Sequence, residues 1–368
     1  MKRIIIGCLL LLTLSLGMMG CSTKQTGNTS ELPLLLRYTD DTNHQEQLVQ
    51  VAWDTKTGTM KIDTTPLLTF SNHATQKDFW VVLQLWAGLF PKPHGHVSNT
   101  AIYWNGTDAV TLFTTENNIN VQENGLKANV VHVADGAICN QYYNMTNCYA
   151  TPDKLYVFEQ GEASSTVYEY SPTKVTKMTV DGYVMGIGTK NNVTYILSAT
   201  STKTGHSLVI HATNRNGATV DKEVANSQRE ESYSLWSDAG GWATFANDAF
   251  YSNGVKVSSV NSTPRLEFVQ SIVDAYKTIA SATTLEPFSG PYPSPAFYEY
   301  NGYTIAIGST FSEDEITIAV FKNDKLQAFA LVTDINKSDA TITTYDATGK
   351  KISSYNIKTP VQVIVPQG

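Results

Sequence analysis

Charge is scarce in this 368-residue chain. Only 16% of its residues are Asp, Glu, Lys or Arg, against about 25% in an ordinary soluble domain. The balance is acidic, with a formal net charge of −7, and no basic cluster is longer than a pair. Nucleic-acid binders carry a basic stripe, so that class of partner is excluded. At 42% hydrophobic the chain is also too apolar for a disordered protein. Catalytic signatures are missing as well. No GxSxG, HExxH, CxxC, GxGxxG or P-loop pattern stands in the sequence, so no motif calls for a cofactor. Gly186-Ile187-Gly188 is a lone GxG inside a strand-like run and reads as close packing.

The longest apolar run is at the start. Lys2 and Arg3 precede an apolar stretch from Ile4 to Met19. That is shorter than the roughly 20 residues a spanning helix needs, and it fits the apolar region of a secretory signal. The stretch ends at Met18-Met19-Gly20-Cys21, followed by the polar run Ser-Thr-Lys-Gln-Thr-Gly-Asn-Thr-Ser. Here the chain resembles a bacterial lipoprotein precursor. Gly20 supplies the small residue before the cysteine and Cys21 the thiol, while Met18 and Met19 stand where that family more often has Leu and then Ala or Ser. The resemblance covers about 30 residues. It implies a signal peptide over 1–20, diacylglyceryl transfer to Cys21, a flexible tether over 21–30 and a globular domain over 31–368. The partner it implies is a membrane, held through the lipid anchor, with the domain on the extracytoplasmic face of the cell membrane. Loss of Lys2 and Arg3 with the signal would take the net charge to −9. A single acyl chain anchors only marginally, so stable tethering rests on more than one chain on the cysteine.

Of the four cysteines, Cys8 falls in the signal and Cys21 at its end. Cys139 and Cys148 remain, in ICNQYYNMTNCYA. An even pair outside the cytoplasm points to a disulfide, although two buried thiols would also satisfy the sequence. Nine positions apart and without a neighbouring histidine, they make a poor zinc pattern.

From about Glu31 onward the texture is uniform. Short runs rich in Thr, Val, Tyr and Ile recur: LVQVAWD at 48–54, AIYWNG at 101–106, KLYVFEQ at 154–160, TVYEYS at 166–171, VTYILSAT at 193–200, SLVIHAT at 207–213, TIAIGS at 304–309, ITIAVFK at 316–322 and ATITTYD at 340–346. These are strand residues in strand lengths. Asn105-Gly106, Asp181-Gly182, Asn216-Gly217, Asn253-Gly254 and Asn301-Gly302 lie between runs, and such pairs suit tight hairpins. Two segments differ. DFWVVLQLWAGLF at 78–90 is apolar nearly throughout, as a buried strand or a short helix. From Pro264 to Ser281, apolar residues repeat every three or four positions behind Thr263 as a cap, which predicts a helix. The fold expected is all-β. Blades of about 40–50 residues make it a β-propeller of about seven blades with one inserted helix, and two packed β domains are the alternative. The final run, Ala340 to Pro366, is expected to complete the last blade or to close the ring.

Candidate chemistry is thin. His94-Gly95-His96 is the only local histidine pair among seven histidines. Two imidazoles are too few for a metal site, and the flanking prolines mark a loop, so no metal is assigned. Asp40-Asp41-Thr42-Asn43 and Ser312-Glu313-Asp314-Glu315 read as solvated acidic turns, since neither matches a calcium loop. The proline-aromatic stretch from Glu286 to Tyr303 carries Phe288, Tyr292, Phe297, Tyr298, Tyr300 and Tyr303. Aromatic faces stack on sugar rings and on prolines. The plainer reading is a connector whose rings pack on the core. Taken together, the sequence points to a membrane-anchored binding or assembly module for an envelope protein or glycan. A cell-envelope enzyme acting on glycan is the alternative, with acids brought together by the fold.

Overall fold

The computed structural model of the chain describes residues 30–71, 96–257 and 296–367, together with Thr278 and Ser281. Within those ranges positions 41, 99, 134–136, 138, 143–144, 162, 191–192, 203–204, 214–218, 228–233, 239–240, 247–248, 253–254, 309–314, 324 and 336 are outside the description. Leu32–Gly368 forms one compact unit, which holds the fold.

The strands run, in chain order, β1 (Glu31–Asp40), β2 (Gln45–Asp54), β3 (Thr59–Ile62), β4 (Leu68–Ser71), β5 (His96–Ser98), β6 (Thr100–Trp104), β7 (Ala109–Thr114), β8 (Val121–Glu123), β9 (Lys127–His132), β10 (Cys139–Tyr142) and β11 (Met145–Thr146). Next come β12 (Cys148–Ala150), β13 (Leu155–Glu159), β14 (Ser164–Ser171), β15 (Lys174–Asp181), β16 (Tyr183–Lys190), β17 (Val193–Thr202), β18 (Gly205–Thr213), β19 (Thr219–Ser227), β20 (Ser234–Asp238), β21 (Gly241–Ala246), β22 (Ala249–Ser252) and β23 (Val255–Val257). The last are β24 (Ala296–Tyr300), β25 (Tyr303–Gly308), β26 (Glu315–Lys322), β27 (Lys325–Thr333), β28 (Asp339–Asp346), β29 (Lys351–Lys358) and β30 (Gln362–Ile364). All nine runs singled out in the sequence are strands. Their turns use the residues expected. Asn301 and Gly302, joining β24 to β25, have φ of 48° and 76°, the doubly left-handed form of a tight hairpin. Of the predicted helix, Thr278 and Ser281 are described, and both are helical. The run at 78–90 and His94 lie outside the described residues.

The fold is all-β, and the described strands form seven sheets. A closing sheet has the order β30-β1-β2-β4-β8, with β3 on β2. The second sheet is β6-β7-β9, the third β12 to β15, the fourth β16 to β19, the fifth β20 to β23 and the sixth β24 to β29. A small sheet, β11-β10-β5, accompanies the second. Pairing is antiparallel except for β7 with β9.

Period-two alternation explains how these sheets stack. On β1, Leu32, Leu34, Leu36 and Tyr38 enter the core shared with β25 to β28 of the sixth sheet. Leu35 enters the opposite core, shared with Ile102, Trp104 and Leu112 of the second sheet. Both faces of β1 are therefore covered, which is why its sequence is an almost unbroken apolar run. Each aliphatic side chain buried this way contributes about 1.5–3 kcal/mol. Further cores join the second sheet to the third through Phe113, Leu155 and Val157, and the third to the fourth through Val167, Val180 and Ile196. Along the backbone β20 lies beside β16 on one side and β24 on the other. Among the described residues six sheets thus follow one another in a closed cycle, the arrangement of a propeller.

The cycle closes between the two ends of the unit. Leu35, Leu36 and Arg37 of β1 pair with Ile364, Val363 and Gln362 of β30. The final run of the chain accordingly does two jobs: β28 and β29 extend the sixth sheet, and β30 joins the first strand. Outer strands β15 and β29 expose Lys174, Lys177, Lys351 and Lys358, charges that discourage edge-to-edge pairing with other chains.

Candidate functional site

The first strands of neighbouring sheets lie next to one another: β6 beside β12, β16 beside β20, and β20 beside β24. Three tyrosines stand on these inner strands, Tyr103 on β6, Tyr149 on β12 and Tyr298 on β24. Each is partly buried, and each leans on a different core: Tyr103 on that of the second and third sheets, Tyr149 on that of the third and fourth, Tyr298 on that of the closing and sixth. Their positions are fixed by the packing beneath them. The Tyr149 ring lies 6.4 Å from Tyr156, tilted by 47°. Tyr103 Oη donates to the carbonyl of Gln367 at 3.1 Å. The segment after β30 is pinned there as well, because Gln367 N donates to the carbonyl of Trp104 at 2.9 Å.

Electrostatics tie the three rings together. Burial raises the Tyr103 phenol above its ordinary range, and the Tyr149 phenol adds to the rise. Tyr298 is raised much further, again by burial first and Tyr149 second. Tyr149 therefore acts on both of the others, from a sheet different from either. Tyr103 and Tyr298 therefore stay protonated at neutral pH. Together the three offer aromatic faces and hydroxyls that donate and accept.

A close contact frames this end of the molecule. Gly106 has a φ of 87°, and its position has no room for a side chain. A Cβ there would stand 2.5 Å from both Pro366 and Tyr300. Tyr300 Oη donates to the Gly106 carbonyl at 3.4 Å. Second, sixth and closing sheets thus meet at one glycine, which the sequence presented only as half of a turn pair.

The fourth sheet holds a different arrangement. Ser198 Oγ and His211 Nε2 are 2.8 Å apart. In register, Asp221 of β19 stands opposite His211. A hydroxyl hydrogen-bonded to an imidazole is the start of a nucleophilic pair. Here, however, Ser198 is fully buried and His211 is 4% exposed. No substrate reaches the hydroxyl, so the pair serves as a satisfied polar contact within the sheet.

The other sequence candidates scatter. Asp40 accepts from Thr42 N, Asn43 N and Asn43 Nδ2, and these bonds hold its carboxyl below the usual range. That is an acidic turn, as expected. Glu315 is a correction. It is not in a solvated turn but opens β26, 1% exposed, and accepts from Thr317 Oγ1 at 3.0 Å. The buried run of β26 starts at this residue, and the hydroxyl two positions on the same face supplies a partner. Cys139 and Cys148 are joined in a disulfide, with Cα atoms 5.5 Å apart, beside Phe113 and Val157 in the core of the second and third sheets. Cys21 lies outside the described residues. His96 is placed on β5, away from any described histidine partner in its sheet. Among the described residues no three His, Cys, Asp or Glu are grouped to hold a metal. No helix among them is long and apolar enough to cross a membrane.

No family model matches the chain, and no curated protein matches it. Among solved structures it is similar to a Bacteroides fragilis protein described as a 6-phosphogluconolactonase, at 12% identity and a TM-score of 0.37, covering 91% of this chain and 97% of that one. It is similar to a eukaryotic initiation factor at 10% identity and a TM-score of 0.30, covering 91% and 90%. The CNH domain of AfRom2 gives 10% identity and a TM-score of 0.31, covering 85% and 95%. Likenesses at this level bear on neither activity nor ligand.

Proposed function

We propose that the chain is a binding module, tethered through Cys21 to the extracytoplasmic face of a bacterial cell membrane, whose ligand seats on the inner-strand tyrosines. The observation that carries this reading is the placement of Tyr103, Tyr149 and Tyr298 on the inner strands of three sheets, each packed on the core beneath it. An aromatic cluster on inner strands suits a glycan ring or a proline-bearing segment of an envelope protein. It does not suit acid–base chemistry at neutral pH, because burial raises the Tyr103 and Tyr298 phenols and keeps them protonated. The competing reading, a cell-envelope enzyme acting on glycan, needs reactive groups open to substrate. Ser198 with His211 is closed to it, Glu46 is engaged by Arg37, and Glu315 is engaged by Thr317.

Two measurements test the proposal. Cys21→Ala should abolish lipid labelling and leave an uncleaved precursor; maturation like the wild type would end the tether. Capture from detergent-solubilised membranes by the full chain should yield a partner or glycan that Tyr149→Ala fails to retain. Equal retention by the variant would remove the tyrosines from the site.

A further inference from the structure

A second site lies away from the tyrosines, where the closing and sixth sheets meet at the turn between β2 and β3. A cavity of about 190 Å³ opens there, lined by Lys56 and Gly58 from the turn and by Tyr303, Lys322, Gln327, Tyr345 and Asp346 from the sixth sheet. We propose that this cavity binds a single sugar ring carrying a negative charge, such as a uronate or a sugar phosphate.

The walls are built in advance. Tyr345 stacks on the buried Phe329, with centroids 4.6 Å apart and planes within 6°, so its ring is held in one orientation. Tyr303 is buried. Gly58 has a φ of 70°, and a Cβ there would strike Ile352 at 2.4 Å; its carbonyl accepts from Thr344 Oγ1 at 3.0 Å. Both sheets are therefore locked where the cavity forms. Its size is below the roughly 300–1,000 Å³ of sites for larger ligands, which selects one ring over an oligomer.

The polar groups select the charge. Lys322 Nζ sits 4.8 Å from the centre of the Tyr303 ring. Among the described residues neither it nor Lys56 has a carboxylate partner. Two ammonium groups without counter-ions, in a chain of net charge −7, leave the cavity locally cationic. Asp346 carries one negative charge against their two, so the cavity keeps a positive excess. Asp346 Oδ1 already accepts from Thr348 N, Thr348 Oγ1 and Lys350 N. The other oxygen can accept from a sugar hydroxyl. Gln327 spends its Nε2 on the carbonyls of Lys325 and Leu326, which leaves Oε1 as a second acceptor. An aromatic face, two cations and two acceptors match an anionic ring with free hydroxyls.

Titration calorimetry on the full chain, with glucuronate, glucose 1-phosphate, glucose and inorganic phosphate as probes, tests this site. Glucuronate and glucose 1-phosphate should bind, with affinity falling as salt rises. Glucose and inorganic phosphate should each bind at least tenfold more weakly. Lys322→Gln should weaken glucuronate binding about tenfold or more, the loss expected for a charge-assisted hydrogen bond. Gln327→Ala, on an exposed side chain, should weaken it with the circular dichroism spectrum unchanged. Tyr149→Ala should leave it unaltered, which separates this site from the tyrosine cluster. No heat with glucuronate, equal affinity in Lys322→Gln, or inorganic phosphate binding as well as the charged sugars would overturn the proposal.

Discussion

Arg37 and Glu46 form an ion pair from which solvent is wholly excluded, both side chains being fully buried. Arg37 does more than neutralise its partner. Its Nη1 donates to the carbonyl of Thr100 at 3.1 Å and to Gln362 Oε1 at 3.4 Å. Its guanidinium also lies 5.6 Å from the centre of the Phe70 ring. One side chain on β1 therefore reaches β2, β4, β30 and the second sheet. The geometry suits Arg, whose planar fork donates in several directions at once.

Breaking this pair should be costly. Glu46→Ala leaves a buried guanidinium without its carboxylate, a loss of about 3–5 kcal/mol. Replacing both partners, as Arg37→Met with Glu46→Leu, should recover much of that loss, since a packed apolar pair avoids the desolvation of two charges. Urea denaturation of the two variants beside the wild type measures the difference. If Glu46→Ala unfolds at the wild-type midpoint, the pair does not hold the closing sheet.

Closure by β30 gives the second expectation. A chain ending at Thr359 loses the β1 pairing and withdraws Val363 and Val365 from the core of the closing and sixth sheets. Ending at Lys337 removes β28 and β29 as well. Neither should resist limited proteolysis or unfold cooperatively. A protease-resistant remainder ending at Lys337 would mean that the sheets are stable without a closed cycle.

The disulfide offers a smaller effect. Cys139 and Cys148 close a short loop, nine positions apart, so chain entropy gives about 2.5 kcal/mol of stabilisation. Mass spectrometry without reductant should find the two joined, and Cys148→Ala should lower the unfolding free energy by about that amount. Free alkylation of both thiols in the unreduced protein would remove the cross-link and its stabilisation.

Alkaline pH should unfold the chain early. Burial holds Tyr38 and Tyr298 well above the ordinary phenol range, and raises Tyr103, Tyr170, Tyr300 and Tyr345 as well. A raised folded-state pKa means that the unfolded chain loses these protons first. The stabilisation is complete below about pH 10, the unfolded phenol value, and is lost as pH rises toward the folded values. Phenolate absorbance should then show a late group of tyrosines that ionise together with the loss of β circular dichroism. A single smooth titration near pH 10, with the fold intact, would contradict their burial.

Much of the fold was legible in the sequence because it is local. A β-branched run such as ITIAVFK or a pair such as Asn301-Gly302 specifies its own conformation within a few residues. The sites were not legible in this way. Tyr103, Tyr149 and Tyr298 come from three sheets, and nothing local marks them as neighbours. Ser198 and His211 meet only through the register of β17 with β18, which the sequence does not state. The proline-aromatic stretch illustrates the division. Its composition attracted attention, yet its described tyrosines part company: Tyr298 joins the inner cluster, Tyr300 reaches Gly106, and Tyr303 lines the outer cavity. Glu315 was misplaced because it follows Glu313 and Asp314 in a polar run of sequence, while Glu315 itself is buried.

The pairing of β1 with β30 also orders events during synthesis. Arg37 and Gln362, bonded across that seam, are 325 residues apart in the chain. Until β30 has been made, β1 has one open edge and no neighbour on it. Contacts of such sequence separation are slow to form. The molecule therefore exists first as an unfinished cycle with an apolar first strand exposed, and reaches its folded state only once β30 is available. That interval is the period in which a chaperone has something to hold.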